Sequence, residues 1–294
     1  DEDGAQDPCI NLVSDGSLIC TFFKWKVVDI KEKAKLGSPE EVEHFSREIH
    51  EKWAAMCDGS FSIKSADQGR TWSESVKLVA PSYIHGVGLR GNIVELQNGR
   101  LLLPMYGIKN IGELSRVYIM YSDDKADSWR FLEELPADPE KNFLEPFLLK
   151  TASSKLITFQ RTQSDYRRKD FQESYLNFHT SESFDGGKTW GPITDTGLYS
   201  SNPLHALALA NDKGVLISYG YRKEPFGMRA KILDSECKDI GTAPEYRISR
   251  SFESGDLGYP SAVSLNHDTA LVVYYGSKDD GSSAIYGSYL DLSI

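Results

Sequence analysis

An eight-residue pattern that occurs three times constrains the fold of this chain more than any other feature. Two copies fit Ser-x-Asp-x-Gly-x-Thr-Trp, and a third, degenerate copy has Ala126 where the others have Gly. Each copy follows a short run of alternating apolar residues, which is typical of a strand. The copies are Ser65–Trp72, Ser122–Trp129 and Ser183–Trp190. Repetition of this kind indicates one structural unit built several times along the chain.

The residues of the repeated pattern are those of a turn. An Asp side chain accepts hydrogen bonds from backbone N–H groups of its own turn. Gly permits a positive φ angle, and Trp packs between neighbouring sheets. We therefore predict structural rather than catalytic roles for Asp67, Asp124 and Asp185, and a buried Trp in each copy.

A second repeat alternates with the first. Five segments consist of an apolar run, a short polar turn and a second apolar run, which is the signature of a β-hairpin. The segments are Cys9–Phe22, Ile93–Tyr106, Pro146–Gln160, Leu207–Tyr219 and Ala262–Tyr275. After a longer first step they recur every ~55 to 60 residues, a period that marks repeat architectures. The two repeats together predict an all-β propeller with five countable four-stranded blades, in a single domain over residues 1–294.

The longer first step contains a segment with helical periodicity, residues 38–55. Ser38 is a candidate N-cap, and Pro39 stands at the first helical position. Apolar residues recur at helical spacing and place Phe45 and Ile49 on the predicted buried face. This short helical insertion either shapes a substrate cleft or covers the edge of a sheet, and the sequence leaves both open.

The charge of the chain argues against nucleic acid and anionic membranes as partners. Its 33 Lys and Arg residues and 43 Asp and Glu residues give a formal net charge of -10 at pH 7. Such a surface repels nucleic acid and anionic membranes. The longest basic run, residues 166–169, fits a solvated loop better than a polyanion site. No stretch of about 20 apolar residues exists, so we predict no membrane span.

The cysteine pattern argues against a metal site. The chain has four cysteines, Cys9, Cys20, Cys57 and Cys237. They show neither CxxC spacing nor His partners, which argues against a zinc site. We expect no metal and no cofactor. Cys9 and Cys20 either lie near each other across a hairpin or are buried as small hydrophobic side chains. Residues 1–4 look like a cut or mature end rather than a natural start.

Several motifs together resemble the sialidase (neuraminidase) superfamily, the Asp-box or BNR-repeat proteins, over nearly the whole chain. They are the three Asp-box turns, Leu144–Pro146 with Arg161, Tyr219–Arg229 and Asp256–Val263. The resemblance implies a six-bladed propeller with its active site at the central opening. Five blades then imply either that the family's first blade, with one substrate-binding arginine and the acid/base aspartate, precedes Asp1, or that this member closes with fewer blades. We expect a secreted or periplasmic location.

The same resemblance implies roles for particular residues. Tyr259 matches the family's nucleophilic tyrosine, and Glu145 matches the glutamate that polarises it. Arg161 matches one substrate-binding arginine, and Arg222 or Arg229 matches another. Arginine binds the carboxylate of an acidic sugar through paired hydrogen bonds. A neutral tyrosine attacks the anomeric carbon without repelling that carboxylate, and sialidases are a recognised exception to the two-carboxylate rule.

Position along the repeat adds three candidates. Arg90 and His205 each precede a hairpin, as Glu145 and Tyr259 do, and we expect them to bind substrate. Asp256, three residues before Tyr259, is a candidate local acid. Every candidate also has a structural alternative: a packed aromatic, a strand-entry residue, a rim ion pair, a core histidine or a turn residue. We expect the candidates to converge at one end of the propeller axis.

Two departures from the family pattern keep the function open. Asp7, not an arginine, precedes Pro8, and Pro260 follows Tyr259 where the family has serine and cysteine. Three hypotheses remain: a glycoside hydrolase or lyase acting on an acidic sugar, a carbohydrate-binding propeller without catalysis, and a protein-interaction scaffold. We favour a sialidase-like glycosidase, with a carbohydrate as its partner.

Overall fold

The computed structural model describes residues 4–90, 92–165, 176–199, 201–210, 212–278 and 280–293. The chain divides into two compact units, Asp1–Leu135 and Pro136–Ile294. All strand pairs are antiparallel among the described residues. The basic run at 166–169 lies outside the described residues, and the prediction of a single domain over 1–294 stays a prediction.

Two sheets form the first unit. Sheet A contains β1 (Gly4–Leu12), β2 (Leu18–Asp29), β3 (Arg47–His50), β4 (Trp53–Ser65) and β5 (Val76–Leu78). Its order is β1-β2-β4-β3, with β5 also paired to β4. Sheet B contains β6 (His85–Gly88), β7 (Val94–Glu95), β8 (Leu101–Ile108), β9 (Arg116–Ser122) and β10 (Arg130–Glu134). Its order is β10-β9-β8-β6, with β7 also paired to β8.

Three sheets form the second unit. Sheet C contains β11 (Lys141–Lys150), β12 (Leu156–Ser164), β13 (Asn177–Ser183) and β14 (Thr194–Tyr199). Sheet D contains β15 (His205–Ala208), β16 (Val215–Tyr221), β17 (Gly227–Leu233) and β18 (Tyr246–Arg247). Sheet E contains β19 (Gly258–Asn266), β20 (Thr269–Ser277) and β21 (Ser283–Asp291). Strands of these three sheets follow chain order. The five sheets match the five predicted blades in number, but among the described residues only sheets C and D have the predicted four strands, since sheets A and B have five and sheet E has three.

Sheet D shows why successive sheets hold together in the second unit. Ile217 and Tyr219 of β16 pack in one hydrophobic cluster with side chains of sheet C. Leu216 of the same strand packs in another cluster with side chains of sheet E. A strand buried on both faces needs an almost continuous apolar sequence, which β16 has. Full burial of each such side chain stabilises the fold by about 1.5–3 kcal/mol.

The Asp-box turns are confirmed as structural elements. Asp67 accepts hydrogen bonds from the backbone N–H (2.8 Å) and hydroxyl (2.6 Å) of Thr71. The same two bonds form at Asp124 and Asp185, from the Ser or Thr four residues later. The bonds from Thr71 lower the pKa of Asp67 to about 2. Each of these carboxylates therefore stabilises its own turn through hydrogen bonds.

The expected burial of the Asp-box tryptophans is correct only for the degenerate copy. Trp129 is buried, and its indole N–H donates to Ser62 Oγ on β4 at 3.0 Å. Trp72 is 37% exposed and Trp190 is half-buried. In both clean copies the indole N–H bonds instead to the carbonyl of the turn's own glycine, Gly69 or Gly187. The ring therefore lies over its own turn.

The helical insertion is shorter than the predicted 38–55. A 3-10 helix, Ile30–Lys35, precedes α1, which spans Pro39–Phe45. The start is as predicted, because Ser38 and Glu41 form a capping box. The end is not, since residues 47–50 form β3 and pair with β4. Ile49 is 56% exposed, so the helical periodicity was wrong beyond Phe45, which is half-buried.

The cysteines form no disulfide among the described residues. Cys20 and Cys237 are buried, while Cys9 and Cys57 are half-buried. Cys9 pairs with Thr21 and Ile10 pairs with Cys20, so the two cysteines lie one position apart across the first hairpin. Burial raises the pKa of Cys237 to about 12, so this thiol stays protonated. The interpretation as small hydrophobic side chains fits the two buried cysteines.

Candidate active site

Two β-bulges in the second unit position the central candidates. In β11, Glu145 and Pro146 lie between the register pairs Leu144–Arg161 and Phe147–Phe159, so two residues oppose one. In β19, Tyr259 and Pro260 interrupt the register in the same way. Both bulges occur at a residue followed by proline, in the first strand of a sheet.

The bulged residues have a strained backbone. The φ angle is 41° at Glu145 and 51° at Tyr259. A residue before proline normally adopts an extended conformation with negative φ. A non-glycine residue in the left-handed region costs on the order of 1–3 kcal/mol, and such strain clusters at functional sites. The bulges aim these two side chains away from the normal alternation of their strands.

The strained residues meet each other and Arg161. Tyr259 donates its hydroxyl hydrogen to Glu145 Oε1 at 2.9 Å. Arg161 Nη1 donates to Glu145 Oε2 at 2.5 Å and lies 3.5 Å from the Tyr259 hydroxyl oxygen. Glu145 and Arg161 are buried, whereas Tyr259 is half-buried. The arrangement pairs the hydroxyl of a half-buried tyrosine with a buried carboxylate positioned to take its proton.

A second cluster adjoins the Tyr259 ring. Tyr275 donates to Asp256 Oδ1 at 2.6 Å, and its ring centroid lies 6.1 Å from that of Tyr259. Arg222 Nη2 donates to the Tyr275 hydroxyl oxygen at 3.1 Å. Burial and the bond to Asp256 raise the pKa of Tyr275 to about 12, so its phenol is neutral. Asp256 and Arg222 thus join the site through Tyr275.

The two remaining arginine candidates of the second unit differ in position. Arg222 also donates from Nε and Nη2 to the carbonyl of Leu257, at 3.1 and 2.9 Å. Arg229 is buried in sheet D, where its Nε lies 3.4 Å from Glu245 and its guanidinium stacks 4.7 Å from the Tyr221 centroid. The structure brings Arg222 to Leu257 and Tyr275 and gives Arg229 other partners. The substrate-binding role of either residue stays a prediction.

His205 and Arg90 have no described hydrogen bond to the Tyr259–Glu145 pair and contact other residues. His205 is the first residue of β15, and its ring centroid lies 4.8 Å from that of Phe147, two residues after Glu145. Arg90 belongs to the first unit, where its Nη1 is 3.8 Å from Asp7 Oδ1. Their predicted substrate contacts stay predictions.

A groove elsewhere in the second unit does not coincide with this chemistry. It has a volume of about 860 Å³ and runs along the third Asp-box turn, beside Phe184, Trp190 and Lys238. None of the described site residues lines it. Geometry of reacting groups, rather than size of a cavity, therefore identifies the candidate site.

Comparison with known sequences identifies the family. Residues 44–273 match the BNR repeat-like domain. The chain belongs to the BNR repeat-like family. No curated protein matches the sequence.

Solved structures share the fold of this BNR repeat-like chain. A protein of unknown function from Dyadobacter fermentans is 29% identical, with a TM-score of 0.84 over 98% of this chain and 77% of its own. The Hadza microbial sialidase Hz136 is 17% identical, with a TM-score of 0.64 over 99% of this chain and 53% of its own. The α-L-arabinofuranosidase Arb93A from Fusarium graminearum is 15% identical, with a TM-score of 0.58 over 98% and 93%. The predicted all-β fold, a β-propeller of the sialidase type, is confirmed.

Two residues of the candidate site were missed by the sequence interpretation. Tyr275 lies at the end of a hairpin and carried no motif. Asn202 is fully buried and donates to the carbonyl of Leu257 at 2.8 Å, directly before the Tyr259 bulge. A signal for Asn202 exists in the sequence, because Asn202 precedes a proline just as Glu145 and Tyr259 do.

Among the described residues, no helix has the length and apolar character to cross a membrane, and no cluster of three or more His, Cys, Asp or Glu side chains is arranged to hold a metal ion.

Proposed function

We propose that this chain is a sialidase-like glycoside hydrolase that acts on an acidic sugar, with Tyr259 as nucleophile and Glu145 as its base. The observation that carries the proposal is the 2.9 Å hydrogen bond from the Tyr259 hydroxyl to Glu145 Oε1. A nucleophile hydrogen-bonded to a base that a third group orients is the general signature of covalent catalysis. Arg161 is that third group, since it donates to the other carboxylate oxygen of Glu145.

The proposed reaction proceeds in two steps. Tyr259 attacks the anomeric carbon and forms a tyrosyl–sugar bond while Glu145 takes the phenolic proton. The glycosidic oxygen leaves with a proton from a separate acid. Water then attacks the anomeric carbon and gives a proton to the conjugate base of the separate acid, while the departing phenolate takes back the proton held by Glu145. The resemblance assigns the part of the separate acid to an aspartate of the family's first blade, and this assignment is part of the proposal.

Arg161 supplies the preference for an acidic sugar in this proposal. Its guanidinium lies at the reacting hydroxyl, 3.5 Å away, where the carboxylate of a substrate next to the anomeric carbon would stand. Arginine recognises carboxylates through a planar pair of donors. Arg222 lies next along the site, beside Tyr275. Structures with a similar fold include proteins named as sialidases and as arabinofuranosidases, which supports a glycosidase.

A fluorogenic α-sialoside tests the proposal with the full chain. Turnover that is lost in Tyr259→Phe supports the tyrosine mechanism. Binding to sialylated glycans on an array without turnover points instead to a non-catalytic carbohydrate-binding protein. Absence of both turnover and glycan binding points to a protein-interaction scaffold and overturns the proposal.

One observation favours a second candidate, a glycosidase for a neutral sugar. Arg222 donates to a backbone carbonyl through two nitrogens, and Arg229 stacks on Tyr221 beside Glu245. Of the candidate arginines in the second unit, Arg161 alone contacts the Tyr259–Glu145 pair through the described hydrogen bonds. An α-L-arabinofuranoside assayed beside the sialoside decides between the two sugars, and faster cleavage of the neutral substrate favours the second candidate.

A further inference from the structure

The segment that carries Tyr259 needs support from its surroundings. Gly258 has φ of 129° and Tyr259 has φ of 51°, and Pro260 follows them. Two successive positive φ angles before a proline are unfavourable for a free chain. Such a conformation persists only where neighbouring groups over-determine it.

One side chain from the connection between β14 and β15 contacts this segment. Asn202 is fully buried, and its Nδ2 donates to the Leu257 carbonyl at 2.8 Å. Its Oδ1 accepts the backbone N–H of Gly220, in β16, at 3.1 Å. The amide therefore links the end of a regular strand to Leu257, two residues before Tyr259. Arg222 donates to the same Leu257 carbonyl, which fixes the orientation of that peptide plane.

Two glycines leave room for this amide. A Cβ atom at Gly258 would lie 1.8 Å from Asn202 Nδ2, and one at Gly220 would lie 2.4 Å from it. Real Cβ atoms do not approach other atoms this closely, so both positions must be glycine while Asn202 is in place. Three positions distant in sequence are thus shaped around one side chain.

We infer that Asn202 is a positioning residue, which holds the Leu257–Gly258 peptide so that the Tyr259 hydroxyl points at Glu145. This inference rests on the proposed function, because it assigns Asn202 a part in the reaction of Tyr259. Asn202 touches neither the phenol nor the carboxylate through its described hydrogen bonds, and it acts through the backbone.

The test is Asn202→Ala, with Ser201→Ala as matched control. Ser201 is also fully buried and bonds to Gly220, but through the Gly220 carbonyl at 2.9 Å. Both variants lose a buried bond to one strand residue, and only the first loses the bond to Leu257. We expect Asn202→Ala to lower kcat by about tenfold to a hundredfold with KM within about threefold, since small misplacements of reacting groups have effects of this size. Ser201→Ala should retain kcat.

A crystal structure of Asn202→Ala separates this inference from the proposed function. We expect the Tyr259–Glu145 hydrogen bond to lengthen or break, whether or not the chain hydrolyses the assayed glycosides. If Asn202→Ala does not fold, Asn202→Ser, which keeps an acceptor for Gly220, takes its place in both measurements. An intact bond near 2.9 Å in the variant, or equal losses of kcat in the variant and its control, would overturn the inference.

Discussion

The second unit contains two clusters of tyrosine, glutamate and arginine, and they differ in which member is buried. In the Tyr219 cluster the hydroxyl donates to Glu245 Oε2 at 2.6 Å, and Arg229 Nε is 3.4 Å from the other oxygen. The Tyr259 cluster has the same three residue types. Its hydroxyl donates to Glu145 Oε1 at 2.9 Å, and Arg161 Nη1 donates to Glu145 Oε2 at 2.5 Å. Tyr219 is fully buried while the Glu245 side chain is 41% exposed. The Glu145 side chain is 10% exposed and Tyr259 is half-buried.

The difference separates the proposed reactive site from a structural contact between the same three residue types. Tyr219 lies in regular strand β16 and packs in the core between sheets C and D, where no sugar reaches it. Tyr259 stands on a strained bulge, which turns its hydroxyl out of the strand's alternation. A nucleophile must be reachable, and its base works best when water is excluded. Only the Tyr259 cluster meets both conditions.

The largest expected effect separates the two tyrosines. Tyr259→Phe should lower kcat/KM by about a thousandfold or more, because the proposed nucleophile is lost. Tyr219→Phe should keep activity within about twofold and lose about 1 kcal/mol of stability with its buried hydrogen bond. Glycoside turnover and urea unfolding measure both. Full activity in Tyr259→Phe would shift the mechanism to the carboxylates Glu145 and Asp256.

Substitutions of Glu145 and Glu245 should also differ in their effect on kcat, by a smaller factor than those of the two tyrosines. Glu145→Gln removes the base and should lower kcat by about a hundredfold, within the range for general acid–base groups. Glu245→Gln changes a partly exposed carboxylate outside the site and should leave kcat unchanged. Steady-state kinetics at pH 6 to 8 make the comparison. Comparable losses in both variants would mean that activity follows stability rather than proton transfer.

The two arginines should separate binding from structure. Arg161→Lys loses the planar pair of donors and should raise KM for an acidic sugar about tenfold. Arg229→Lys should leave KM unchanged, because Arg229 stacks on Tyr221 and donates to the carbonyl of Pro225. Initial rates over a range of sialoside concentrations give both values. A raised KM in Arg229→Lys would instead support its predicted role as a substrate-binding arginine.

The smallest effect concerns alkaline stability. Burial, followed by the hydrogen bond to Glu245, raises the pKa of Tyr219 above its ordinary value near 10. The neutral phenol is favoured in the folded state. Its contribution to the free energy of unfolding is therefore fully present below about pH 10 and is lost as pH rises towards the folded pKa. The loss approaches about 1.4 kcal/mol per pH unit. The free energy of unfolding, measured in urea between pH 9 and 11, should therefore fall more steeply with pH for the wild type than for Tyr219→Phe. Parallel pH dependences would contradict this.

Local hydrogen bonds explain what could be predicted of the fold. The Asp-box turn at Asp67 is complete within eight residues, since its donors come from Thr71 and its own loop. The helix start is equally local, because Ser38 and Glu41 cap each other. The end of the helix is not local. Residues 47–50 pair with β4, and this pairing overrides the helical periodicity of the sequence.

The sequence by itself determined the repeats, the five sheets in chain order and the Xaa-Pro pairs at Glu145 and Tyr259. These follow from neighbours along the chain, where turn and strand preferences act. Tertiary structure alone decided that Tyr259 bonds to Glu145, 114 residues away, rather than to a nearer carboxylate. It also decided which tyrosine of two is buried and that Asn202 fits between Gly220 and Gly258. The physical reason is that burial and long-range contacts depend on how sheets pack, which no local pattern encodes.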